Sequence, residues 1–253
     1  MLILFVTLII IQNACSLTCK DILDMPKNSK IKLYELETLQ PKEIVDCISH
    51  LGRIKLNISE AEFIWNSIIK FYNEIPLIPD EILSCLHWVT IAIKPEEYQN
   101  LTLSNIDIIT NFGLDYDLSN DQLVAIADRV REDFGAKQPE DYTVYDLTAL
   151  RQILCAFQGS EIKRIHPKSY KEAALLVRKL KNCSDDVMEG FASLATHKDA
   201  FGPPENWKRE TICILGGVVQ YLSENVMSKL KKNLGNDILE EIDKDRTLEE
   251  ECN

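Results

Sequence analysis

Apolar positions along this chain recur with helical spacing. In the segment Pro79–Ile93, Ile82, Leu83, Leu86, Val89 and Ile93 fall at i, i+1, i+4, i+7 and i+11, one face of an α-helix. Pro79 suits the first helical position, and Asp80 and Glu81 suit the positive end of the helix dipole. A related segment begins at Pro41, 38 residues upstream, and the two correspond at Pro, Glu, Ile, a branched aliphatic, Cys and an aliphatic. A helical unit that recurs cannot bury its apolar face alone, so the pattern predicts stacked helical repeats.

The same reasoning carries along the chain. A helix is predicted at about 41–53. Ser59-Glu-Ala-Glu62 reads as a capping box opening a helix to Tyr72, with Phe63, Ile64, Ile68 and Phe71 inward. After the 79–93 helix come a turn at Pro95–Tyr98 and a segment capped at Ser104 that runs to Phe112. Ser119 opens a helix with Leu123, Ile126, Ala127 and Val130 on one face, and Gly135 ends it. Further helices are predicted at 145–156, at 160–165 closed by Pro167, and at 170–180, 184–194, 207–221, 223–231 and 237–245. Gly216-Gly217 lowers helix propensity by about 1 kcal/mol per Gly, which close packing or a kink would explain. No alternating run reads as a strand. The expected fold is all-α, an armadillo-like superhelical stack of short helices (an α-solenoid), in one domain over 17–245 with a frayed acidic tail at 246–253.

Charge narrows the partners. The 253-residue chain has a net charge of −12 and a pI near 4.9, which disfavours nucleic acid and bare anionic membranes. Residues 1–16 lack charged side chains, and Leu2–Gln12 is an apolar run shorter than the roughly 20 residues of a spanning helix. With Ala14 and Ser16 at −3 and −1, a signal peptide cut after Ser16 is expected; an N-terminal anchor is the other reading. Cleavage leaves seven cysteines, an odd number for a secreted chain. Cys19 to Cys47 and Cys155 to Cys183 share a spacing of 28 residues, and those pairs are expected, although sequence does not fix connectivity. Cys85, Cys213 and Cys252 stay unassigned, which leaves a disulfide-linked dimer open. Three glycosylation sequons, at Asn57, Asn100 and Asn182, fall at expected helix ends.

The order of elements then resembles a known group. Ile78-Pro-Asp-Glu-Ile-Leu-Ser-Cys-Leu-His-Trp-Val89, followed by Lys94-Pro-Glu-Glu-Tyr98 and Asn100-Leu-Thr-Leu-Ser104, resembles the mesothelin, otoancorin and stereocilin family of extracellular superhelical proteins. Cys155…Ser160-Glu-Ile162…Cys183 resembles a disulfide-closed repeat of that family, and Trp207–Gly216 with Leu222–Val226 adds to the likeness. The resemblance implies a stack of short helices acting in adhesion, at the cell surface or in an extracellular gel. Members are often anchored by a glycolipid; the ending Thr247-Leu-Glu-Glu-Glu-Cys-Asn253 has no apolar tail to direct one, so a soluble secreted form is expected.

Candidate chemistry is sparse. Cys47-x-x-His50 with Cys85-x-His87 offers four zinc ligands, but at irregular spacing in a chain whose cysteines should pair. Asp115-x-Asp117-x-Ser119-x-Asp121 begins like a calcium loop, yet Asn120 and Ile126 stand where Gly and Glu are needed, so a polar loop is the reading. His50, His87, His166 and His197 lack the flanking motif of a hydrolase. Trp65, Trp88 and Trp207 are either core or partner anchors, with core favoured for Trp207. No catalytic residue, metal or cofactor is expected. The reading is a secreted, glycosylated, non-enzymatic interaction protein with an extracellular protein or glycan partner and no transmembrane segment after signal removal. The alternative is a secreted carrier holding an apolar small molecule between helices, which needs an enclosed apolar cavity.

Overall fold

The computed structural model describes residues 17–26, 29–135 and 137–234. The expected signal sequence, the 237–245 helix, the acidic tail, Cys15 and Cys252 lie outside them. The described residues form α-helices and 3₁₀ helices with no strand among them, so the fold is all-α. They fall into two compact units. One holds the residues up to Thr102 with Tyr116–Leu118; the other holds Leu103–Asp115 and the residues from Ser119 onward.

In the first unit, the helix Ile58–Tyr72 packs against Leu33–Leu36, Pro41–Asp46 and the 3₁₀ helix His87–Ala92. Its cap is Asn57, not Ser59. The Asn57 side chain accepts from the Glu60 N–H at 3.0 Å, and the Glu60 carboxylate accepts from the Asn57 N–H at 2.9 Å. Asn caps as well as Ser does, and this register lets Glu60 be buried with its cap. The buried face is Ala61, Ile64, Trp65 and Ile68, at i, i+3, i+4 and i+7, whereas Phe63 is only half-buried and Phe71 is exposed. The expected 41–53 helix is two pieces, Pro41–Asp46 and Ile48–Leu51, separated at Cys47.

In the second unit, Val144–Leu150 packs on Ile106–Phe112 and Pro167–Val177, and Asn120–Asp133 packs on the 3₁₀ helix Arg151–Ala156. Asp185–Ala195 lies against Gly159–Ile162, Pro167–Val177 and the 3₁₀ helix Gly216–Tyr221. Leu123, Ile126, Ala127 and Val130 are all buried, and Ser119 caps as expected. Two expected boundaries move. Asn105, rather than Ser104, caps 106–112, and Pro167 opens the next helix at its first position instead of closing the previous one.

Three segments expected as single helices are broken alike. An α-helix ends, directly before the break at the second and third and with Ser84–Leu86 between at the first, and a six-residue 3₁₀ helix opens on a residue of positive φ. The residues are His87 (φ 47°), Arg151 (φ 40°) and Gly216 (φ 52°). They lie 64 and 65 residues apart. At the first two joints a glycine that caps an earlier helix packs against the break: a Cβ on Gly52, after Ile48–Leu51, would lie 2.2 Å from the Leu86 carbonyl oxygen, and one on Gly113, after Ile106–Phe112, would lie 2.2 Å from that of Ala149. The bare backbone lets the Trp88 N–H reach Gly52 O at 2.9 Å and the Gln152 N–H reach Gly113 O at 3.1 Å. At the third joint the roles are exchanged. Gly216 itself takes the left-handed conformation, and Arg178 stands opposite it, donating from Nη1 to the Cys213 carbonyl at 2.7 Å. The segments at Pro41 and Pro79 therefore begin alike and end differently: Cys47 stays at φ −105°, whereas the 79–93 segment reverses at His87.

Candidate functional site

Cys19 is bridged to Cys47 and Cys155 to Cys183, with Cα separations of 5.6 and 4.4 Å. The first bridge ties the helix Cys19–Asp24 to the end of Pro41–Asp46; the second ties the 3₁₀ helix 151–156 to the turn before Asp185. Cys85 keeps a half-buried thiol, and Cys213 is buried. With Cys47 in a disulfide, it offers no thiolate beside His50. Among the described residues, no three His, Cys, Asp or Glu side chains converge to hold a metal ion.

His87 lies with its Nδ1 3.3 Å from the Tyr116 hydroxyl. Burial, and then the Arg53 charge, hold its pKa below the usual imidazole value, so it is neutral near pH 7. The acidic loop is divided between structural tasks. Asp115 pairs with Lys181 at 2.6 Å, and Asp117, at φ 58°, pairs with Lys55 at 3.0 Å. Ser119 caps the next helix by accepting from the Gln122 N–H.

Two of the three tryptophans are core. Trp65 is 2% exposed and donates its indole N–H to the Glu97 carboxylate at 3.2 Å. Trp207 is 4% exposed and donates to the Gly202 carbonyl at 2.9 Å. Neither can anchor a partner. Trp88 is half-buried, edge-on to Tyr116 at 5.2 Å, with the Lys55 ammonium 4.9 Å from its ring.

The sequon asparagines are all exposed. Asn57 is the N-cap of the longest helix among the described residues; its Oδ1 is used by the cap, which leaves the amide nitrogen outside that bond. Asn100 ends a 3₁₀ helix, and Asn182 sits at φ 56° one residue before the bridged Cys183.

A cavity of about 260 Å³ opens in the first unit. Ile22, Met25, Pro26, Ile31 and Ile54 make its walls apolar, and Ser29, His50 and Arg53 are its polar groups. Its lining comes from three short segments, 22–26, 29–31 and 50–54, which share no motif that the sequence would show. It is open to solvent and smaller than the roughly 300–1,000 Å³ typical of small-molecule sites.

No family model matches the chain. It is 27% identical over 154 residues to human "Putative stereocilin-like protein" and, to the same extent, to human stereocilin; each match takes in 60% of this chain and 8% of the relative. It is 25% identical over 146 residues to mouse otoancorin, which takes in 58% of this chain and 12% of the relative. The matched stretch thus spans only about a tenth of the curated relatives' length. The resemblance carried by the Pro79 segment and by the Cys155 and Trp207 stretches is therefore matched by sequence similarity over more than half the chain: this protein is similar to stereocilin and otoancorin.

Proposed function

We propose that this chain is a secreted, glycosylated, non-enzymatic interaction protein of the extracellular space, acting in cell–matrix or cell–cell adhesion. The similarity to stereocilin and otoancorin carries this reading. Two disulfides closing 28-residue loops suit an oxidising compartment. The exposed sequon asparagines at helix ends suit glycan attachment without loss of core. Recurrence of the α-to-3₁₀ joint at 64 and 65 residues supports stacked repeats, whose extended surfaces serve macromolecular partners.

The test is to express the tagged chain in animal cells and compare clarified medium, detergent-washed matrix and cell surface, each with and without glycosidase treatment. Retention on matrix or cells, with a mass drop on deglycosylation, is the expected result. Unglycosylated protein held inside the cell would overturn it. The second reading, a carrier of a small apolar molecule, needs an enclosed apolar cavity, and the one beside His50 and Arg53 is apolar-walled but open and small. Monomeric protein free in the medium, with a small molecule recovered on solvent extraction, would select that reading.

A further inference from the structure

Against a net charge of −12, residues 163–182 carry seven Lys and Arg and a single acid, Glu172. Three of those cations are engaged: Arg164 with Glu140 at 2.7 Å, Arg178 with the Cys213 carbonyl at 2.7 Å, and Lys181 with Asp115 at 2.6 Å. Lys163, Lys168, Lys171 and Lys179 remain. All four are exposed, and none has a carboxylate within ion-pair distance among the described residues. Lys171 lies 5.7 Å from the Phe201 ring, a loose contact that leaves its charge available.

Helix Pro167–Val177 organises three of these lysines. Lys168, Lys171, Leu175 and Lys179 follow at i, i+3, i+7 and i+11, on the side opposite the buried Tyr170, Ala173, Ala174 and Val177. The Lys179 N–H donates to Leu176 O at 3.0 Å, so the helical turn reaches that residue. At about 1.5 Å of rise per residue, the strip is about 16 Å long.

We infer that this strip is a docking surface for a sulfated glycosaminoglycan, a linear polyanion of the extracellular matrix. The inference rests on the extracellular reading above and names the partner class. Protein interfaces are depleted in Lys and are anchored by aromatic residues and Arg, whereas here one Leu, 55% exposed, is the only apolar group on the strip. Hydrated ammonium groups on flexible stems instead suit point charges spaced along a chain. The acidic remainder of the molecule confines the contact to this strip and repels a rigid duplex that would overrun it.

The experiment is retention of the purified full chain on immobilised heparin at about 0.15 M salt. The chain should be retained. Lys168→Gln with Lys171→Gln and Lys179→Gln should flow through, while a charge-matched control, Lys20→Gln with Lys70→Gln and Lys198→Gln, should be retained like the parent. If all three lysines engage, the slope of log affinity against log salt falls by about two to three, at the roughly 0.7–0.9 per contact known for nucleic-acid polyanions. Unchanged helical circular dichroism shows that the triple variant is folded. Failure of the parent to bind, equal loss in the control, or elution by polyglutamate as readily as by heparin would overturn the assignment. Matrix retention that survives heparinase and the triple substitution would leave the adhesion reading standing while this one falls.

Discussion

Gly216 and Gly217 are neighbours with opposite requirements, and the pair tests the joint directly. Gly216 sits at φ 52°, ψ −133°, where an L side chain is strained. A Cβ there would also approach the Arg178 Cβ at 3.3 Å, tighter than usual contact. Gly217 has no positive φ, and a Cβ on it meets nothing within 4 Å. Gly216→Ala should therefore cost about 2 kcal/mol, the middle of the range for a residue forced into such a conformation. Gly217→Ala should gain about 0.4–1 kcal/mol by reducing the freedom of the unfolded chain. The assay is urea unfolding followed by circular dichroism. With a slope of about 2 kcal/mol/M, the midpoint should fall by about 1 M for Gly216→Ala and rise by about 0.2–0.5 M for Gly217→Ala, with m unchanged. The reasoning is refuted if Gly216→Ala unfolds with the parent, or if both substitutions are equally damaging. A continuous helix through 207–221 predicts a gain at both positions.

Three further outcomes follow from the same geometry. At Arg151 the usual order reverses: Arg151→Gly should be more stable than Arg151→Ala by about 1 kcal/mol, because both lose the Nε bond to Thr148 O and only Ala keeps the strain at φ 40°; equal midpoints would refute this. Replacing Cys155 and Cys183 together by Ser releases a 28-residue loop in the unfolded chain and should cost about 3–4 kcal/mol, read as a lower thermal midpoint; an unchanged midpoint would refute the pairing. For Asp146, 2% exposed, burial acts to raise the pKa, but the Lys137 ammonium at 2.7 Å and the Thr143 N–H and hydroxyl outweigh it and hold the carboxyl below its usual range. A depressed folded pKa contributes stability that is present above the unfolded value, about 3.9, and is lost as pH falls through the folded one. The stability gap between the parent and Asp146→Asn should thus be constant near neutrality and shrink as pH drops below about 4; a gap independent of pH would refute it.

Much of this protein is written locally. The all-α class follows from apolar positions that keep a helical period. The helix at Ser119 follows from a side chain that can reach the free N–H groups of its own first turn. Even at 79–93, Leu83, Leu86, Val89 and Ile93 are buried as the helical pattern requires. The sequons were legible as motifs, and their asparagines are exposed because helix ends lie at the surface.

Tertiary contact decided the rest. A period of 3.6 and one of 3.0 place the same few residues inward over a short run, so apolar spacing could not separate one helix from an α-helix joined to a 3₁₀ helix. The break at His87 depends on Gly52, 35 residues earlier, and the one at Arg151 on Gly113, because a backbone can reverse there only where its neighbour has no Cβ. Trp65 became core through a carboxylate 32 residues later. The cavity at His50 and Arg53 is assembled from separate segments that share no motif. Caps and faces are set by residues within about a turn of each other, so the sequence alone placed them to within a residue or two, Ser119 as expected and Asn57 and Asn105 beside the expected serines; joints, cavities and the burial of a polar aromatic require partners distant in the chain, which only the folded structure brings together.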